Sequence, residues 1–105
     1  MNIATTIQNA TIPSGYMGTC QYIKLGRIVI LAGTVNSTNA IPANSAFVTG
    51  LPRPLVSNPT IRVLNNNAVN SLYDCIIQGG GTIASAVQTG SNVSLRITGA
   101  YISAD

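Results

Sequence analysis

The chain has no histidine, no glutamate and no tryptophan, and it has a single phenylalanine. Each absence removes a class of chemistry. Without histidine, the usual general base near neutral pH and the commonest metal ligand are missing. Without glutamate, the only carboxylate side chains are Asp74 and Asp105, far apart in sequence, and Asp105 is the last residue. A glycosidase needs two carboxyls held at a set separation across a sugar, and this pair is poorly placed for that. Cys20 and Cys75 have no histidine to generate a thiolate, and two cysteines are too few for a zinc site. The expectation is a protein that is not an enzyme and uses no cofactor and no metal.

Charge is also scarce. Charged residues make up 7% of the chain, against about 25% in ordinary globular domains. The bases are Lys24, Arg27, Arg53, Arg62 and Arg96, and the formal net charge is +3. They are scattered, so the dense basic footprint of a nucleic-acid binder is missing and no nucleic-acid partner is expected. Hydrophobic residues reach 46%, which argues against disorder. So little charge leaves little repulsion between copies. The apolar surface must then lie in a core, lie between subunits, or be diluted by the abundant Asn, Ser and Thr. No apolar run approaches the 18 residues of a membrane helix, so no membrane insertion is expected. Residues 1–11 lack both a positive n-region and a long apolar h-region, so no signal peptide is expected.

What the chain does contain is β-branched residues, with Gly, Pro or Asn about every ten positions. Short strands at that spacing indicate an all-β sandwich or barrel. Residues 1–105 suit one β-sandwich domain, with residues 1–15 read as an N-terminal edge strand or the remnant of a stalk. The strongest strand is 27–35, whose centre Ile28-Val29-Ile30-Leu31-Ala32 is apolar at every position. That pattern predicts cover on both faces, one from the core and the other from a second sheet or a neighbouring subunit. Residues 21–25 precede it and form a hairpin through Gly26-Arg27. Gly33 signals a bulge or a close backbone approach. Residues 93–98 alternate, with Val93, Leu95 and Ile97 on one face. Gly99 is expected to end that strand, and 100–102 to form a last one.

Further strands are expected at 60–64 and 72–78, joined through Asn65-Asn66-Asn67. Gly79-Gly80-Gly81 then turns into a strand at 82–87, and Phe47-Val48 forms a short one. Segments 36–45 and 50–58 read as polar loops, the second excluded from a central strand by its prolines. Cys20 and Cys75 read as buried free thiols, although their spacing neither demands nor forbids a disulfide. The glycine triplet lacks the Gly-Lys-Ser/Thr of a phosphate loop and reads as a turn. Asn9-Ala10-Thr11, Asn36-Ser37-Thr38 and Asn92-Val93-Ser94 match the glycosylation pattern, as chance allows in such a composition.

Sugar binding is harder to exclude, because tyrosine and amide side chains suit it. The candidate ligand-binding residues are Arg62, Tyr73 and Asp74, on two strands expected to be neighbours. Strand alternation sends Tyr73 and Asp74 to opposite faces, so the three do not form one patch in a regular strand.

The order of features resembles a known family. Gly15-Tyr16 precedes Tyr22-Ile23-Lys24-Leu25-Gly26-Arg27-Ile28-Val29 and Leu31-Ala32-Gly33-Thr34-Val35. Phe47, Gly50-Leu51-Pro52 and Pro54 follow, and the chain closes with Gly90-Ser91, Val93-Ser94-Leu95 and Gly99-Ala100-Tyr101-Ile102. From residue 13 to 103 this is similar to the C-terminal head (receptor-binding) domains of bacteriophage and prophage tail fibres and baseplate receptor-binding proteins. The resemblance implies an antiparallel jelly-roll-like β-sandwich, a homotrimer, and a place at the tip of a virion fibre. It implies adhesion to a host surface glycan, with other virion proteins as further partners. The rival expectation is a structural virion protein, such as a capsid-decoration or fibre-capping trimer.

Overall fold

Alternating β-branched segments separated by Gly, Pro and Asn condense into eight strands in a computed structural model, which describes residues 6–66 and 72–105. The strands are β1 (Gln8–Asn9), β2 (Met17–Leu25), β3 (Ile28–Ser37), β4 (Ala46–Val48), β5 (Thr60–Asn65), β6 (Leu72–Gln78), β7 (Thr82–Ser85) and β8 (Val93–Ile102). No helix occurs among the described residues. All strand pairs are antiparallel, in the order β1-β2-β3-β8-β5-β6-β7-β4. The expected all-β antiparallel architecture is present, as one curled sheet. Within it β8-β5-β6-β7 are neighbours, the spatial order of a Greek key.

The curl brings the two edge strands together. Just beyond β1 and β4, Thr11 and Thr49 exchange N–H···O bonds of 2.8 Å in both directions. Edge groups that would otherwise solicit another strand are thereby partly satisfied. A second gap opens where β5 meets β8 only at Leu64↔Arg96 and Asn65↔Leu95. The far end of β8 is covered by a strap: Leu55 N–H donates to Ile102 O at 2.8 Å, and Pro54 bridges Ser103. The strap is held by Tyr101, whose hydroxyl donates to Pro52 O at 2.6 Å. Burial pushes the Tyr101 phenol well above its ordinary value.

One set of alternate positions fills the core. Val29, Leu31 and Val35 of β3 pack with Leu95 and Ile97 of β8, Val63 of β5, Ile77 of β6, Ile83 of β7 and Phe47 of β4. Gly33 faces inward opposite Cys20, and a Cβ there would lie 2.7 Å from Cys20 Cα. Of the two expectations for Gly33, close approach is the one realised, since the β2–β3 register runs unbroken.

Five expectations are corrected. Gly99 does not end a strand: β8 runs through it for ten residues. Gly99 falls on the inner face, where a Cβ would press on Ile61 Cγ2 at 3.2 Å, so the glycine relieves packing rather than ending the strand. Segment 36–45 is not polar throughout, because Ile41 is fully buried. Ile41 N–H donates to Thr89 Oγ1 at 2.9 Å, and Thr89 N–H donates back to Ile41 O at 3.0 Å, which staples the two loops. In segment 50–58, Leu51 is likewise a core residue. The strand expected at 82–87 stops at Ser85, whose hydroxyl donates to Val87 O and draws the chain into a turn. Finally, within the chain the core covers one face of β3, and of the two covers expected for its other face the second sheet is absent. No second sheet covers Ile28 and Ile30, which are 51% and 44% exposed.

Candidate binding site

The sequence pointed to Arg62, Tyr73 and Asp74. The β5–β6 register sets Arg62 opposite Asp74 and Val63 opposite Tyr73. Cross-strand partners share a face, so Arg62 and Asp74 meet outside while Tyr73 turns inward, half-buried against the core. Arg62 Nε donates to Asp74 Oδ1 at 3.2 Å, with side chains 66% and 61% exposed. The Tyr73 hydroxyl instead accepts from Gly90 N–H at 3.1 Å and so props the loop before β8. The three residues are neighbours in the sheet and split between its faces. An ion pair this wet contributes little. Arg62→Ala is expected to lower stability by less than about 1 kcal/mol, read as a small shift in the urea midpoint.

A cleft that sequence reasoning did not single out lies where β2 begins, β3 ends and β8 begins. There the register aligns Met17, Asn36 and Ser94 side by side across three strands. With Gly15, Ser37, Thr38, Asn92 and Val93 they line an open cleft of about 310 Å³. No lining side chain is charged. The cleft's backbone is held in place: Asn92 N–H donates to Thr38 O at 2.9 Å, Ser94 N–H to Asn65 Oδ1 at 3.1 Å, and the Ser37 hydroxyl to Asn39 O at 2.6 Å. Asn92 takes φ 54, a left-handed conformation that asparagine tolerates. Sequence signalled polarity at 36–45 but not which strands would converge there.

The same outer face changes character along its length. At the end nearest the β2–β3 turn, Leu25, Ile28 and Ile102 form one cross-strand row, and Ile23, Ile30 and Ala100 form the next. The middle row is Gln21, Ala32 and Thr98, followed by Thr19, Thr34 and Arg96, and the cleft row comes last. The face is thus apolar at one end and polar at the other. Two shallow apolar grooves flank the apolar rows. One, of about 140 Å³, lies by Ile7, Ile23 and Ile30. The other, of about 260 Å³, lies by Leu55, Val56 and Ile102.

Cys20 and Cys75 are buried and free, as expected. Burial pushes the Cys20 thiol from its ordinary 9.0 up to about 11. Burial, with help from the Asp74 charge and against a hydrogen bond with Ser85, pushes Cys75 up to about 12. Both thiols stay protonated at neutral pH and are poor nucleophiles. Below pH 9 they are protonated in the folded and unfolded chain alike and leave stability unchanged. Between pH 9 and about 12 the unfolded chain releases protons that the folded chain retains, so stability falls. Urea midpoints at pH 8, 10 and 11 are expected to decline in that order. A thiol reagent at pH 8 is expected to label neither cysteine until urea is added.

Among the described residues no group of three or more His, Cys, Asp or Glu side chains could hold a metal, and no helix is long and apolar enough to cross a membrane. No known protein family matches the chain, and no curated protein matches it in sequence.

Proposed function

We propose that the chain is a non-catalytic adhesion head, the jelly-roll-like, homotrimeric receptor-binding tip of a bacteriophage or prophage tail fibre. Its receptor is a saccharide on the host surface. The observation that carries this reading is the apolar half of the outer face. Ile28, Ile30 and Ile102 stand 51%, 44% and 55% exposed in adjacent rows. A contiguous apolar patch of this kind marks an interaction surface.

Other copies of the chain are the occupants that fit best. The sheet's edges are bridged at Thr11 and Thr49, which partly satisfies them and favours contact through side chains over addition of a strand. The face is flanked by two apolar grooves, one by Leu55 and Val56, which are 52% and 71% exposed, and one between Ile7 and Ile30. Apolar rows flanked by different grooves on their two sides suit a heterologous contact, which forms a ring when the rotation between copies closes. In a ring the polar clefts all belong to one particle, so weak sites act together.

Sedimentation equilibrium at micromolar concentration tests the assembly. The expected mass is three times the 10.8 kDa chain, and a single-chain mass would overturn the trimer. Binding to intact bacterial cells separates an adhesion head from a capsid-decoration or fibre-capping trimer, which would bind virus particles and ignore cells.

A further inference from the structure

We infer that the cleft at the meeting of β2, β3 and β8 is the ligand site, and that it takes a neutral saccharide through Asn36, Thr38 and Asn92 with Met17 as its apolar platform. The inference rests on the reading of the chain as a saccharide-binding head and gives that reading a location.

The cleft's chemistry selects the ligand class. Its lining offers amides and hydroxyls, which both donate and accept, and it has no charged side chain. Such a surface suits a ligand covered in hydroxyls and offers nothing to neutralise an anion or a cation. Among the described residues the side chains of Asn36 and Thr38 make no hydrogen bond, so they are available without breaking one. Met17 lies beside Asn36 in the register and is 74% exposed. A thioether side chain that open gains by packing against the C–H face of a sugar ring, since Met adapts to irregular apolar surfaces. The volume, about 310 Å³, lies at the small end of ligand pockets and suits one or two sugar residues. The main-chain bonds at Asn92 and Ser94 fix the rim before a ligand arrives, which lowers the ordering cost of binding.

The cleft is built from strands of one chain, so it does not require the assembly. Its location also differs from that of the Arg62–Asp74 pair, which lies on β5 and β6.

The test is an amide chemical-shift titration of the full chain with glucose, galactose, rhamnose and N-acetylglucosamine, and with glucuronate as a charged comparison. The expected result is saturable shifts from at least one neutral sugar at Asn36, Thr38, Asn92 and Ser94. Asn36→Ala is expected to weaken that binding about tenfold, as loss of one useful hydrogen bond does, and Arg62→Ala to leave it unchanged. Shifts at the cleft in a chain that sediments alone would support the site while removing the trimer. Absence of shifts at the cleft, in an assembly that still binds bacterial cells, would overturn the site and leave the adhesion reading standing. Shifts confined to β5 and β6, preference for glucuronate, or full binding by Asn36→Ala would each overturn the inference.

Discussion

Ile30→Asp is expected to reduce the sedimenting mass from three chains to one and to leave the chain folded. Ile30 lies in the second apolar row, between Ile23 and Ala100, and is 44% exposed on the single chain. A carboxylate there reaches water as long as the chain is alone. The cost to the fold is then the poor fit of Asp to a strand and the lost burial of a half-exposed isoleucine, about 2 kcal/mol together. In the assembly the same carboxylate would be enclosed by apolar groups with no basic partner in its row, and an unpaired buried charge outweighs what a few half-buried isoleucines contribute. Loss of assembly with an unchanged circular dichroism spectrum is therefore the expected pair of results. Leu31→Asp, one position on, is the contrasting variant. Leu31 is in the core, so the charge has nowhere to go and the chain should not fold at all. If Ile30→Asp still sediments as three chains, the apolar half of the outer face is not the contact. If it unfolds like Leu31→Asp, that face is not open to water.

The contrast also marks how far the strand was legible. Period-two alternation identifies which residues share a face, and in β8 it selected Val93, Leu95 and Ile97 for the core correctly. In β3 every central residue is apolar, so alternation says nothing about which face is inside. The pattern predicts cover on both faces, from the core and from a second sheet or a neighbouring subunit. Within one chain it is a strand covered once, because the sheet closes on itself and leaves no second layer to pack outside. The hairpin through Gly26 was legible, since a glycine at φ 59 in the first of two turn positions is what a tight antiparallel turn requires.

What sequence could not supply was sheet order. β3 lies against β8, although more than fifty residues separate Ser37 from Val93. The cleft depends on that pairing, because Asn36 and Ser94 become neighbours only through it. Short polar segments look alike before the strands that bring them together are known. Arg62 and Asp74 were easier to find because a local connection joins their strands. Their pairing outside, with Tyr73 inside, follows directly from alternation on adjacent strands.

Gly81→Ala is expected to destabilise the fold by about 3 kcal/mol or more, whereas Gly80→Ala should change it by less than about 0.5 kcal/mol. The sequence shows three consecutive glycines and gives no reason to rank them. The backbone ranks them clearly. Gly81 alone of the three has positive φ, at 85°. A Cβ on Gly81 would fall 2.0 Å from Leu51 O, whereas one on Gly79 or Gly80 would meet nothing within 4 Å. The collision is with main chain, so no rotamer relieves it. Gly81 O also accepts from Leu51 N–H at 3.0 Å, and pushing the two segments apart breaks that bond. Leu51 would then leave the core, and Pro52 next to it would carry away the carbonyl that accepts from Tyr101. The effect therefore spreads from a surface turn to the strap that covers the end of β8. Urea unfolding of both variants beside the unaltered chain gives the comparison. Equal midpoints for Gly80→Ala and Gly81→Ala would mean that the turn and residues 50–52 do not touch as described. A deficit confined to Gly81→Ala would show that the positive φ and close approach at this position, rather than flexibility of the whole turn, require glycine there.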